Sequence, residues 1–248
     1  FRIFPRFILQ DVVHTDPATF TASVIFKYLA PNYLHLVCTP FPGINVEIEY
    51  WVPQSQILAG RTRVNNTRSE TISFCLDWVA LLTPDSTGER MAALDIGLAH
   101  LLVGSTSTIK PVFFIPGMVQ PGAGPYTSLA TNLILAPQQS QTVIWVESAL
   151  STPESSLARA QEIANHNWDA EIARIELVNS NQLEIQTGNP DWNTAFSLSQ
   201  NTARGLILSN SNGCPNPSTV STRLPDQGYS LRGDGSDYTH LWDGQTLF

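Results

Sequence analysis

The residues best suited to chemistry lie late in the chain, in residues 223–248, RLPDQGYSLRGDGSDYTHLWDGQTLF. This stretch combines glycines, aspartates and aromatic rings. Glycine gives an open backbone, a carboxylate accepts hydrogen bonds from hydroxyl groups, and an aromatic ring offers a flat apolar face. The members are Gly233, Gly235 and Gly244, then Asp226, Asp234, Asp237 and Asp243, and finally Tyr229, Tyr238 and Trp242. We therefore expect the stretch to hold a polyol, with Asp234 and Asp237 serving as turn residues.

Other reaction chemistries leave no recognisable pattern. The histidines lack metal-ligand spacing, no serine lies in a Gly-x-Ser-x-Gly motif, and Cys38, Cys75 and Cys214 are far apart. We predict no metal, no cofactor and no disulfide, and we expect Cys38 and Cys75 to be buried thiols in strands. The glycine-rich residues 117–125 are not followed by a helix pattern, so we predict a long loop there and not a phosphate cradle.

The net charge of the chain limits the kinds of molecule that we expect it to bind. The formal net charge is -8, with 13 Lys and Arg against 21 Asp and Glu. Nucleic acids and anionic membranes are bound through clustered cations, so we expect neither as a partner. The chain opens with FRIFPRFILQ, which has no signal pattern and assigns no compartment. We expect that the chain is a segment of a longer polypeptide.

The elements that must position these residues begin with strands. Ile44, Val46 and Ile48 alternate with polar residues that include Glu47 and Glu49. This period of two predicts a strand with one buried face and one solvated face. Comparable patterns predict ten strands in all, at residues 21–29, 33–39, 44–52, 56–64, 71–82, 91–96, 98–103, 111–116, 129–135 and 142–148. The fold class that follows is mainly β, a large antiparallel β-sandwich in residues 1–150.

The hydrophobic period changes after residue 150. Thr152 and Pro153 are typical of a helix start, and two further helical patterns begin at Trp168 and at Asn189. We predict a short helical linker over residues 151–208. The composition then turns to Ser, Asn, Pro and Gly, so residues 209–248 are predicted to be an extended segment.

This order of elements resembles the front part of glycoside hydrolases that carry a sandwich before an (α/α)6 barrel, such as glucoamylase-like and glycogen-debranching enzymes. Three stretches carry the resemblance: residues 59–67 as a strand ending in Asn-x-Thr, residues 133–140 as the exit from the sheet, and Leu241-Trp242-Asp243-Gly244. Gln245 stands near the place where those enzymes have an Arg beside the Asp.

The resemblance implies roles for individual residues. Asp243 would bind the terminal sugar, Trp242 would stack on it, and Tyr238 would line the same subsite. The residue types alone leave an alternative open, in which Asp243 caps the start of a helix. The catalytic acid and base of those enzymes lie in barrel segments beyond Phe248, so no catalytic residue is assigned here. The implied partners are an oligosaccharide or polysaccharide and a downstream catalytic barrel of the same polypeptide.

Three functional hypotheses follow, the third being a purely structural sandwich in a larger assembly. In the first, the chain is a non-catalytic sandwich domain that supports and partly lines the active site of a barrel acting on α-glucosidic or related bonds. In the second, it is a free-standing carbohydrate-binding module whose exposed aromatic platform begins with Trp51, which has the polar parity of its strand. The other tryptophans outside residues 223–248, Trp78, Trp145, Trp168 and Trp192, are predicted to be core or interface anchors.

Overall fold

A computed structural model describes residues 1–96, 99–180, 183–208, 218–223 and 238–243. The chain divides into two compact units, Phe1–Ile175 and Glu176–Phe248.

The first unit is a two-sheet antiparallel sandwich. Its strands are β1 (Arg2–Leu9), β2 (Val12–His14), β3 (Ala22–Ala30), β4 (Tyr33–Phe41), β5 (Ile44–Gln54), β6 (Ile57–Asn66), β7 (Ile72–Leu81), β8 (Glu89–Ile96), β9 (Ala99–Ser105), β10 (Lys110–Phe114), β11 (Gln120–Pro121), β12 (Ser128–Leu135) and β13 (Ser140–Leu150). The smaller sheet has the order β11-β12-β7-β1-β2, and the larger has the order β3-β4-β5-β6-β13-β10-β9-β8. The predicted fold class and all ten predicted strands are confirmed.

Three strands of the first unit were not predicted: β1, β2 and β11. The period of two in β1 is obscured because Pro5 interrupts the strand and because its outer face carries Phe4 and Ile8 as well as two arginines. Arg6, one of those arginines, is buried. Arg6 lies directly opposite Asp77 of β7, and the two form an ion pair. Burial of a charged residue through a partner distant in sequence cannot be read from a local pattern.

The core lies between the sheets and is centred on two indoles. Trp78 of β7 and Trp145 of β13 are both fully buried, with ring centroids 4.7 Å apart. Tyr50 contacts both rings edge-on. Large aromatic rings remove much apolar surface from water, so this cross-sheet contact is a main source of sandwich stability.

Two helices follow the sheets, α1 (Pro153–Ala164) and α2 (Trp168–Asn179). As predicted, Thr152 caps α1: its side chain accepts from the Ser155 backbone amide. α1 packs Ala160, Ile163 and Ala164 into a second apolar cluster with residues of the larger sheet, including Val112 and Val146. The outer face of that sheet is therefore covered where the sequence led us to expect solvent.

The second unit contains α3 (Pro190–Gly205), β14 (Ile207–Leu208), β15 (Ser218–Arg223) and β16 (Tyr238–Asp243). The strands form a small antiparallel sheet in chain order, and the Asn189 side chain caps α3 as predicted. Trp192, predicted to be an anchor, is exposed. None of the helices in the described parts of the chain is long and apolar enough to cross a bilayer.

Candidate functional site

The three predicted sugar-binding residues all fall in β16. In the register of β16 with β15, Tyr238 is opposite Arg223, Trp242 is opposite Thr219, and Asp243 is opposite Ser218. The backbone thus places Tyr238, Trp242 and Asp243 on one short strand that ends at Asp243, and their binding roles stay a prediction. The other members of the stretch fall outside the described residues: Asp226, Tyr229, Gly233, Asp234, Gly235, Asp237, Gly244 and Gln245.

A polar cluster that the sequence did not predict lies in the first unit, between the outer face of the larger sheet and α2. Its centre is Arg61 of β6, whose Nε and Nη2 donate to the carboxylate of Glu49 on β5, with Nη2 3.1 Å from Oε1. Arg61 Nη1 donates to Asp169 Oδ1 of α2 at 2.6 Å. On the other side of Glu49, the Tyr33 hydroxyl donates to Oε1 at 2.5 Å. We call Tyr33, Glu49, Arg61 and Asp169 the Arg61 cluster.

Hydrogen bonding within the Arg61 cluster favours the charged forms of Arg61 and Asp169. Burial opposes the charge on Arg61, but its hydrogen bonds to Glu49 and Asp169 raise its pKa above the ordinary value. The hydrogen bond from Arg61 lowers the pKa of Asp169. Glu49 was expected to be solvated, and this is wrong: only 11% of its side chain is exposed, whereas Glu47 on the same face is half exposed.

Aromatic rings pack beside the Arg61 cluster. The guanidinium carbon of Arg61 lies 5.6 Å from the ring centroid of Trp168, within cation–π range. The ring of Trp51 packs edge-on against that of Trp168, with their centroids 5.6 Å apart. The His166 ring lies tilted beside Trp51, at a centroid distance of 5.7 Å. Trp51 is only 4% exposed. The hypothesis that Trp51 forms an exposed carbohydrate platform is therefore wrong, because the segment leading into α2 covers this ring.

A signal for this cluster was present in the sequence. Trp51 lies at the polar parity of β5, where water would be expected. Large aromatic residues bury much apolar surface and are seldom left in water. A tryptophan in such a position indicates that something covers the face, and the helix patterns that begin at Thr152 and Trp168 were the available covers.

A second buried ion pair lies on the outer face of the smaller sheet. Arg6 Nη1 is 3.0 Å from Asp77 Oδ2, and the Asp77 side chain is 2% exposed. The glycine-rich residues 117–125 lie over this pair. A Cβ at Gly124 would be 1.7 Å from Arg6 Nη1, and one at Gly122 would be 2.6 Å from Asp77 Oδ1. Apart from the two residues of β11 this segment is a loop, as predicted, and its glycines let the backbone close over the pair.

Glu147 of β13 is a buried carboxyl without a hydrogen bond or ion pair among the described residues. It lies opposite Leu58 and Phe113, on the inner face of the larger sheet. Burial raises its pKa to about 7. A carboxyl that titrates near neutrality suits acid–base chemistry, but glycoside hydrolysis also needs a second carboxyl across the substrate.

The first unit also contains a cleft and two cysteine thiols. A cleft of about 430 Å³ beside the turn between β1 and β2 is lined by residues that include Asp11, Glu70 and Cys75. Burial, and next the charge of Asp77, raise the pKa of Cys75 to about 11, so its thiol stays protonated at neutral pH. Cys38 is buried and Cys75 half-buried, both in strands. Within the described ranges, no three His, Cys, Asp or Glu side chains are grouped to hold a metal ion.

Comparison with known proteins gives matches at the level of structure. No family model matches the chain, and no curated protein matches it in sequence. A solved protein assigned as a kojibiose phosphorylase, from the human microbiome, is similar over 70% of this chain and 26% of its own, at 12% identity and a TM-score of 0.51. A bacterial glucoamylase solved with acarbose is similar over 70% of this chain and 30% of its own, at 8% identity and a TM-score of 0.51. The chain thus spans between a quarter and a third of these proteins and shares a fold with that part of each.

Proposed function

We propose that this chain is the sandwich domain and helical linker of a larger enzyme that acts on α-glucosidic or related bonds. In this proposal residues 1–150 form the sandwich, residues 151–208 form the linker, and residues 209–248 lead into a helical barrel that supplies the catalytic groups. The sandwich supports that barrel and partly lines its active site. Neither a nucleic acid nor a membrane is part of the proposal.

One observation carries the proposal. A two-sheet sandwich followed by helices, the arrangement described here, is similar to about a quarter of a protein assigned as a kojibiose phosphorylase and to 30% of a glucoamylase. The polyol-binding composition of residues 223–248 is independent support, because it comes from sequence alone. Within it, Asp243 is proposed to accept hydrogen bonds from sugar hydroxyls, while Trp242 and Tyr238 provide apolar faces.

The test is an assay of the complete natural polypeptide with maltooligosaccharides and aryl α-glucosides, each with and without inorganic phosphate. We expect turnover of at least one α-glucoside. Turnover that requires phosphate would identify a phosphorylase, and turnover without it a hydrolase. Absence of turnover with every α-glucoside would contradict the proposed function.

Two further arms test the assignments within this chain. The 248-residue chain alone should show no turnover, and activity above background would contradict its non-catalytic role. In the complete polypeptide, Trp242→Ala and Asp243→Asn should each raise KM at least tenfold, because each removes a proposed contact with the sugar. Thr239→Ala, on the same strand, is the matched control and should leave KM unchanged.

A further inference from the structure

Arg61 donates hydrogen bonds to a carboxylate on the larger sheet and to a carboxylate on α2. Its guanidinium group holds Glu49 with two nitrogens and Asp169 with the third, and its carbon lies against the ring of Trp168. We propose that Arg61 is an ionic latch, which keeps the first turns of α2 on the sheet and allows them to open without unfolding of the sandwich. This inference stands apart from the proposed enzymatic function, because it depends only on contacts inside the first unit.

The two halves of the latch differ in strength. The Glu49 side chain is 11% exposed, whereas the Asp169 side chain is 85% exposed. An exposed ion pair is weakened by water and salt, while a buried charge pair is screened much less and is costly to break. Arg61 therefore stays with Glu49, and the contact with Asp169 is the one that yields when α2 lifts.

Movement of the first turns of α2 away from the sheet would expose two tryptophan rings. Trp51 and Trp168 are each 4% exposed because they cover one another. Further along α2, Ile175 is buried in the same apolar cluster as these two rings. Opening of the first turns would bring both indoles into water while the core around Trp78 and Trp145 stays intact, so the event is local.

The sandwich also contains a matched control for this latch. Arg63 and Glu47 lie directly opposite each other on β6 and β5, as Arg61 and Glu49 do, on the same face of the sheet. Their side chains are about half exposed, with Arg63 Nη1 3.8 Å from Glu47 Oε2. Arg63 acts on Asp169 only through its charge, as the last of the influences that lower the Asp169 pKa. Arg63→Met thus removes an arginine from the same strand and face while every hydrogen bond to α2 described here stays.

The experiment is amide hydrogen exchange on the 248-residue chain, followed over residues 168–175 of α2 and residues 72–81 of β7. Asp169→Asn should speed exchange in α2 roughly two- to fivefold, as expected for an exposed pair. Arg61→Met should speed it at least tenfold, because Glu49 is left buried without its partner. Exchange in β7 should stay within twofold in Asp169→Asn. Arg63→Met should leave β7 unchanged and should speed exchange in α2 less than Asp169→Asn does.

Salt supplies a second readout. Raising the salt from about 0.05 to about 0.5 M should speed exchange of α2 in the wild type and have little further effect in Asp169→Asn. Acrylamide, an uncharged quencher, should quench tryptophan fluorescence more strongly in Asp169→Asn than in Arg63→Met.

Three results would overturn the latch: unchanged α2 exchange in Asp169→Asn, equal acceleration of α2 and β7 in that variant, or an effect of Arg63→Met as large as that of Asp169→Asn. Because Asp169 is exposed, its variant keeps the test decisive even where Arg61→Met does not fold.

Discussion

Gly60 and Trp145 lie directly opposite each other on β6 and β13, and the indole of Trp145 occupies the space that a side chain at position 60 would need. A Cβ at Gly60 would be 2.1 Å from Cε2 of that ring. The ring has no room to move aside, because the ring centroids of Trp78 and Phe113 lie 4.7 Å and 5.4 Å from its own. The glycine is therefore a packing requirement of the central aromatic cluster.

Gly60→Ala should destabilise the sandwich by about 1–3 kcal/mol, the usual cost of overpacking a filled core. Urea unfolding followed by tryptophan fluorescence measures this loss. In a Trp145→Phe background, where the ring is smaller, the added cost of Gly60→Ala should fall, so the two effects should not add. Additive costs would show that the substitution acts through the backbone and not through the ring.

The strands of this fold were predictable because each inward face is a local pattern with a period of two. The outer faces were not predictable in the same way. Glu49 and Trp51 alternate with buried residues, as solvated positions do. Glu49 is nevertheless held by Arg61 and Tyr33 from neighbouring strands, and Trp51 is covered by Trp168, more than a hundred residues later in the chain. Local periodicity reports that two faces differ, and only tertiary contacts decide whether the second face meets water.

Glu147 should make stability depend on pH. Burial raises its pKa from 4.5 to about 7 in the folded protein. Between these values the folded state holds a proton that the unfolded state has released, so stability falls as pH rises from about 4.5 to about 7 and levels off above that. The loss attributable to this carboxyl is at most about 3 kcal/mol, since one pKa unit corresponds to about 1.4 kcal/mol.

Glu147→Gln removes the titrating group and keeps the shape. We expect the variant to be more stable than the wild type at pH 8 and to lose that advantage at pH 4.5, as measured by urea unfolding at both values. Glu47→Gln, at an exposed position on β5, is the control and should not change the pH dependence. A constant difference between Glu147→Gln and the wild type across this range would contradict the shifted pKa.

The buried pair of Arg6 and Asp77 gives a prediction with a rescue. Arg6→Met leaves the Asp77 carboxylate buried beneath the glycine loop without a counter-charge, which typically costs about 3–5 kcal/mol. Adding Asp77→Leu to Arg6→Met removes the stranded charge and should recover much of the loss. Chemical unfolding gives the free energy of unfolding of the single variant and of the double variant. A double variant less stable than Arg6→Met would contradict the idea that the loss comes from the unpaired charge of Asp77.

The candidate sugar-binding residues illustrate a different limit of sequence reasoning. The composition of residues 223–248 indicated a polyol ligand, and the strand β16 groups Tyr238, Trp242 and Asp243 along the backbone. A composition, however, carries no distances, and a sugar subsite is defined by the distances between acceptors and rings. This site is therefore tested by measuring KM for the Trp242→Ala and Asp243→Asn variants.

Ser156 joins α1 to the larger sheet through two hydrogen bonds. Its Oγ donates to the Lys110 carbonyl at 2.7 Å and accepts from the Leu150 amide at 2.8 Å, and the residue is fully buried. Ser156→Ala leaves a backbone acceptor and a backbone donor without their partner, and each unsatisfied group costs about 1–3 kcal/mol. We expect a loss of about 2–5 kcal/mol in the free energy of unfolding. Gln161→Ala, at an exposed position of the same helix, should have little effect, and equal losses in the two variants would contradict a specific role for the Ser156 hydroxyl.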